Sequence, residues 1–295
     1  MTEFDNPFEC EGQWLKGNLH THTTVSDGAL SPQERVAAYE AKGYDFLALT
    51  DHDRAADLAP LAAKRLILIR GIEVVCANPT GGPGYHLVGL DLPEGFRLPR
   101  SKQIQTVVDS IVEQGGQATI AHPYWTGQNI RDLEVVSGAL GIEVFNTTCE
   151  VSIGKGTSAV HWDDLLARGR RPLGFAVDDA HHATSDVFQG WVVVKSRERS
   201  REAIVEAVAQ GRFYATCGPT IESVRLDGRR VTAVTSPVVR INFICNGPSG
   251  RQVRNDDGSP LTQAEHTLSG YETYVRVECT DRAGRSAWAN PFFLR

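Results

Sequence analysis

Four apolar runs in this 295-residue chain stop abruptly at histidine or carboxylate, and that pattern restricts the fold more than any other feature. Phe46-Leu-Ala-Leu-Thr50 runs into Asp51-His52-Asp53, and Leu66-Ile-Leu-Ile-Arg-Gly-Ile72 into Glu73. Ala118-Thr-Ile-Ala121 runs into His122-Pro123, and Pro172-Leu-Gly-Phe-Ala-Val177 into Asp178-Asp-Ala-His-His182. Short apolar runs of this kind read as buried strands. From residue 19 to about 196 they alternate with amphipathic helical stretches, as in α/β chains. The pattern predicts strands near 18–22, 45–50, 66–74, 85–90, 117–121, 141–146, 172–177 and 190–195. Polar residues at several strand ends then collect at the carboxyl edge of a parallel sheet, where α/β barrels build their sites.

Helix signals fill the gaps. Ser31-Pro-Gln-Glu34 is a capping box with proline at the first helical position, and Gly43 marks the end of that helix. Further helices are predicted near 101–115, 129–138, 158–169 and 199–210. After Gly211-Arg-Phe-Tyr-Ala-Thr-Cys-Gly-Pro219 the helical periodicity disappears. Short strands at 223–226, 238–245 and 273–279 alternate with the turn signals Asp227-Gly, Asn246-Gly-Pro, Asp257-Gly and Ala283-Gly. The expected organisation is an α/β barrel domain over residues 1–215, followed by a small antiparallel β-sandwich over 216–295. The second part holds no cluster of potential ligands, which leaves it packing, rim-building or association.

The residues at the strand ends carry a definite chemistry. His20 and His22 stand two apart in Asn18-Leu-His-Thr-His22, so on a strand both imidazoles project to one side and form half of a metal site. Asp179-Ala-His181 repeats the spacing with a carboxylate and an imidazole, and Glu73 is able to bridge two cations. With Asp27, His52, His86 and His122 the pool contains only nitrogen and oxygen ligands. That set suits Mn, Fe or Zn, with more than one divalent ion bound at a time. Such ions acidify a bound water into a nucleophile and polarise a P=O or C=O group. No G-x-S-x-G elbow and no phosphate-cradling glycine loop occurs, so covalent serine catalysis is not indicated.

The segments Asn18-Leu-His-Thr-His22, Ser26-Asp-Gly28, Thr50-Asp-His52, Gly71-Ile-Glu73, Ala121-His-Pro123 and Asp178-Asp-Ala-His181 resemble the polymerase-and-histidinol-phosphatase (PHP) superfamily. The resemblance implies a distorted (β/α)7 barrel holding two or three metal ions. It implies that His20, His22, Glu73 and Asp179 bind one ion, Asp27, His52 and His181 a second, and Glu73, His86 and His122 a third. Phrases such as Trp14-Leu-Lys-Gly-Asn-Leu-His-Thr-His, Gly43-Tyr-Asp-Phe and Gly211-Arg-Phe-Tyr are similar to the branch named after bacterial carbaryl hydrolases.

The expected activity is metal-dependent hydrolysis, by a phosphoesterase acting on a small phosphorylated or nucleotide-like molecule. Hydrolysis of a carbamate, ester or amide at the same centre is the alternative, and a non-catalytic metal-containing binding module a third reading. Arg54 and Lys155 are the candidates for binding phosphate. Trp125, with Tyr124, is placed to wall a base or aryl ring. His181 or His182 is assigned to leaving-group protonation. Asp51 and Asp178 are expected to support ligands or cap turns, Glu143 to be a satisfied strand carboxylate, and Cys149 to be buried. Asn146 faces the site or forms a turn. His161 and His266 read as structural, and His182 as a rim residue.

Composition narrows the partners. Net charge is −6 with no basic block, which speaks against an extended nucleic-acid surface while leaving room for one nucleotide in a pocket. No basic stretch leads into an apolar one near the start, and no apolar run approaches the roughly 18 residues of a membrane helix. Six scattered cysteines read as reduced thiols, so a cytoplasmic location and a small-molecule substrate are expected. Oligomeric state is not legible.

Overall fold

In the computed structural model, which describes residues 5–294, the apolar runs become nine strands that build the larger part of the chain. These are β1 (Gln13–Asn18), β2 (Phe46–Leu49), β3 (Ile67–Cys76), β4 (Tyr85–Leu90), β5 (Gln117–Ile120), β6 (Gly141–Asn146), β7 (Leu173–Val177), β8 (Trp191–Ser196) and β9 (Phe213–Thr216). Helices α1 (Pro32–Ala41), α2 (Ile104–Glu113), α3 (Pro123–Thr126), α4 (Ile130–Leu133), α5 (Thr147–Ile153), α6 (Ala159–Ala167) and α7 (Arg201–Ala209) connect them. The rest is β10 (Ile221–Asp227), β11 (Arg230–Val238), β12 (Arg240–Cys245), β13 (Gly250–Val253), β14 (Leu261–Thr267), β15 (Tyr274–Thr280), β16 (Ser286–Ala289) and β17 (Phe292–Phe293).

Two expectations need correction. The first strand ends at Asn18, so His20 and His22 lie beyond it rather than on it. Gly17 marks where that strand packs tightest, because a Cβ there would stand 2.1 Å from the Phe46 ring. The sheet is also not parallel throughout. β1–β2–β3 and β5–β6–β7 are parallel, whereas β4 runs antiparallel to both β3 and β5, and β8 antiparallel to β1 and β9. The β3–β4 link spans only residues 77–84, too short for the crossover that parallel neighbours require. Reversal has a useful result: β4 begins, rather than ends, at the site edge, and presents His86 there.

α1 starts where its sequence dictates, with Ser31 and Glu34 completing the capping box. α2 buries Ile104, Val107, Val108 and Ile111 at helical spacing, each contributing roughly 1.5–3 kcal/mol by leaving water. The helix expected at 129–138 shrinks to Ile130–Leu133, because the following segment Glu134-Val-Val-Ser-Gly138 turns at a glycine with φ 80°. One side of the sheet packs Phe46, Ala48, Ile69, Val88, Phe175, and Val192 together, and the other meets α2 and α6 through Val108, Ile111 and Trp162. Strands covered on both faces explain the continuous apolar runs.

Strands from both parts of the chain share one long sheet. Its order is β13-β12-β15-β16-β9-β8-β1-β2-β3-β4-β5-β6-β7, and a separate three-stranded sheet is ordered β10-β11-β14. Val224, Val231, Ile241, Phe243, Val275 and Val277 form the core of the C-terminal part. Arg276 on β15 is fully buried and grips Asp163 on α6 with two bonds of 2.7 Å, its guanidinium 4.9 Å from the Trp162 ring. Trp288 on β16 stacks on Phe145 of β6 at 5.9 Å. No helix among the described residues is long and apolar enough to cross a membrane.

Candidate metal centre

Backbone bonding carries the strand alternation of β1 past its end. Asp179 donates its N–H to the His20 carbonyl at 2.9 Å and His22 donates to the Ala180 carbonyl at 3.0 Å. Between them Thr21 turns away and donates its hydroxyl to the Ala48 carbonyl. His20 and His22 therefore face the same interior, both fully buried. The next turn is held by Asp51, whose carboxylate accepts from the Thr23 and Ser26 amides and from both hydroxyls, rather than orienting His52. Gly28 is required here, since a Cβ would stand 2.5 Å from the His22 carbonyl carbon. That turn delivers Asp27, half exposed, to the mouth of the site.

Four ligand-type atoms converge at the bottom. His20 Nε2 lies 3.1 Å from His22 Nε2, 3.1 Å from Asp179 Oδ1 and 3.3 Å from Glu73 Oε2. His22 Nε2 lies 3.0 Å from the same Asp179 oxygen and 3.1 Å from the same Glu73 oxygen. Ligands bonded at about 2.0–2.2 Å to a tetrahedral ion stand about 3.3–3.6 Å apart, close to this spacing. Glu73 reaches further, its Oε1 lying 2.9 Å from His86 Nδ1 and 3.3 Å from His122 Nε2. Toward solvent, Asp27 Oδ2 lies 3.5 Å from both His52 Nε2 and His181 Nε2. The structure thus gathers His20, His22, Glu73 and Asp179; His22, Asp27, His52 and His181; and Glu73, His86 and His122, each set within reach of a single ion.

Charge and hydrogen bonding both fit cations. Burial by itself would lower the pKa of His20, but Asp179, Glu143 and Glu73 outweigh it and hold it well above the ordinary value. His22 is likewise buried, yet Asp179 and Glu73 push it up to about 9. Glu73 and Asp179 are held well below the carboxylate range, against their burial, by the surrounding imidazoles. Asp179 Oδ1 and His52 Nδ1 are buried atoms with no hydrogen-bond partner. A buried unsatisfied acceptor costs roughly 1–3 kcal/mol, which a bound cation would remove. His122 and Asp179 also hold φ at 26° and 56°, a left-handed backbone that non-glycine residues seldom adopt, at the points where both side chains enter the site.

Around this cluster stands a ring of supporting groups. Glu143 on β6 is a satisfied strand carboxylate whose partners are the site itself: His20 Nδ1 at 2.6 Å, the His122 amide at 3.0 Å and the Asn146 amide group at 2.8 Å. Asn146 both caps α5, accepting from Cys149, and donates to Asp179 Oδ2 at 3.1 Å. Asp178 accepts from the Tyr39 hydroxyl and from three successive amides, Phe188, Gln189 and Gly190, which ties the loop after β7 to α1. The link between Glu143 and His20 was invisible in sequence, because the two lie 123 positions apart.

Above the cluster opens a cavity of about 370 Å³, lined among others by Trp125, Thr148, Ser152, His181 and His182. Trp125 packs edge-on against His86 and His122. His182 is exposed at the rim. Arg54 is exposed and Lys155 has its ammonium 5.4 Å over the Tyr124 ring, and neither lines the cavity. His161 bonds to the Gln128 carbonyl and His266 packs on Phe243 in the C-terminal part, both away from the cavity. Cys149 is buried in the cavity wall. Thr148 and Ser152, from α5, carried no sequence signal beyond the Asn146 cap that starts their helix.

A solved two-domain protein from Bacteroides vulgatus, described as containing a predicted PHP-like metal-dependent phosphoesterase, superposes on nearly the whole chain. The TM-score is 0.56 at 18% identity, covering 94% of this chain and 93% of that one. The fold is PHP-like. No family model matches the chain. Shorter sequence matches include a Haemophilus influenzae 5'-3' exoribonuclease, 46% identical over 80 residues, and a Chromobacterium violaceum 3',5'-nucleoside bisphosphate phosphatase, 38% identical over 79. These matches cover 26% and 25% of this chain, and only 28% and 27% of those proteins. An uncharacterized protein of Methanocaldococcus jannaschii is 29% identical over 148 residues, which is 45% of this chain and 82% of that protein.

Proposed function

We propose that this PHP-like protein is a metal-dependent phosphoesterase acting on a small phosphorylated or nucleotide-like molecule. His20, His22, Glu73 and Asp179 would hold one divalent ion, Asp27, His52 and His181 a second, and Glu73, His86 and His122 a third, drawn from Mn, Fe or Zn. The observation that carries this reading is the convergence of four buried ligand atoms, from His20, His22, Glu73 and Asp179, beneath an open cavity. Bound there, the ions would acidify a water and polarise the phosphoryl oxygens. Glu143 takes the Nδ1 proton of His20, which fixes the ring so that Nε2 presents its lone pair to the site. His181 is fixed the same way, donating from Nδ1 to the Asp179 carbonyl at 2.7 Å and pointing Nε2 toward Asp27. His182, at the rim, is placed to return a proton to the leaving group. We read the α/β part as a distorted (β/α)7 barrel, with residues 216–295 as a β-sandwich packed against it. The names of the exoribonuclease and the bisphosphate phosphatase agree with phosphate-ester chemistry.

A second reading, carbamate or ester hydrolysis at the same centre, draws on the cavity wall, where no lysine or arginine stands among the described residues. The two are separated by offering purified protein, reloaded with Mn, Fe or Zn, a matched chromogenic phosphate monoester, phosphate diester, carboxyl ester and N-methylcarbamate. Turnover of the phosphate esters, lost in His20→Ala, is expected. Turnover confined to the ester or carbamate would replace the leading reading with the second.

A further inference from the structure

The cavity wall differs from its floor in a way that defines the substrate. The metal-ligand set brings three carboxylates, Glu73 and Asp179 at the floor and Asp27 at the mouth. Among the described residues, no arginine or lysine lines the wall. Of the two cations expected to bind phosphate, Arg54 is exposed and Lys155 lies over the face of Tyr124, and neither lines the cavity. What the wall does offer is an indole. Trp125 is 40% exposed, stands in the one-turn helix α3 between Pro123 and Gly127, and is clamped edge-on by His86 at 73° and His122 at 83°. Near-perpendicular ring contacts with both imidazoles orient it, and two fifths of its surface stays open. Thr148, Cys149 and Ser152, all small side chains, line the same cavity.

From this, and resting on the phosphoesterase reading, the geometry points to a substrate with a single phosphoryl group and a flat, apolar leaving group held against Trp125. A second anionic group beside the scissile bond is rejected. One phosphoryl group is neutralised at the floor. A second anion would lie out of the ions' reach against the wall, where no arginine or lysine among the described residues pairs it, which is costly. In the reaction the water oxygen bonds to phosphorus as the bond from phosphorus to the leaving oxygen breaks. One water proton ends on that oxygen and the other stays with the released phosphate. This preference sets the chain apart from a phosphatase named for a substrate that carries two phosphates.

Calorimetry of the Mn-loaded protein with phenylphosphonate and methylphosphonate tests the claim without turnover. Phenylphosphonate is expected to bind at least tenfold tighter, Trp125→Ala to bring the ratio near one, and Trp125→Phe to keep most of it. In parallel, adenosine 5'-monophosphate is expected to be hydrolysed at least tenfold more efficiently than adenosine 3',5'-bisphosphate. Equal binding of the two phosphonates, a preference that survives Trp125→Ala, or equal turnover of the two nucleotides would overturn the inference while leaving the phosphoesterase intact. Absence of both phosphonate binding and phosphate-ester turnover would remove the phosphoesterase reading and this inference together.

Discussion

The two ends of the ligand cluster are built from the same residue types but in opposite surroundings. His20, His22, Glu73 and Asp179 are buried, with Glu143 holding His20 Nδ1 and Asn146 holding Asp179 Oδ2. Asp27, His52 and His181 stand at the mouth, with the Asp27 side chain 53% exposed. Rigid, desolvated ligands favour tight retention, whereas exposed ones leave positions for water and substrate. On the proposed reading, the deep group would hold its ion and the outer group would exchange with substrate.

The largest effect should come from Glu73→Gln, because Glu73 touches every deep ligand set and both of its oxygens are engaged. Metal content by mass spectrometry should fall by at least one ion per chain and kcat by about a thousandfold or more, in keeping with lost charge stabilisation. If Glu73→Gln kept its full metal content, the division between deep and outer groups would be wrong. Asp27→Asn should cost less, roughly a hundredfold in kcat/KM, with the deep ion retained. Next, Glu143→Gln leaves the ligands in place but loosens His20, and roughly 10–100-fold weaker metal binding is expected at unchanged fold by circular dichroism.

The smallest effect is the most discriminating. A metal and a proton compete for the Nε2 of His22, whose pKa is raised to about 9 despite burial by Asp179 and Glu73. Below that value the proton must leave first, and so must the one that Asp179, Glu143 and Glu73 hold on His20, so deep-site affinity should climb through the alkaline range by about tenfold per pH unit for each proton displaced. Burial instead lowers the pKa of His52, so proton competition at that ligand is over by neutral pH and the outer site should be flat in the alkaline range. Titrating Zn or Mn between pH 6 and 9.5, in buffers of different ionisation enthalpy, reads both slopes. Parallel slopes would erase the distinction.

Much of this arrangement is visible in the chain itself. The ends of β2, β5 and β7 carry His52, His122 and Asp179 because an apolar strand must stop where polar groups begin, and that boundary is local. The helix cap at Ser31 is local too, and it appears where the sequence places it. Register and direction are less local. Glu73 lies inside β3, not past its end, because β4 pairs with the strand through Cys76. Glu143 looks like an ordinary strand carboxylate until the fold brings His20 to it across the sheet. Arg54 and Lys155 illustrate the reverse: their type suits phosphate, but long flexible side chains go where solvent or an aromatic face receives them, and sequence does not encode that choice.

The strand order has a consequence for the timing of synthesis. β9 closes on β8 as soon as residue 216 has left the ribosome, but its other edge pairs with β16, residues 286–289. Some seventy residues must therefore be made while that edge stands bare, an interval of about 4–14 seconds at roughly 5–20 residues per second. An unpaired edge of this kind recruits other strands. β16 is thus the strand that covers this edge of the nascent sheet.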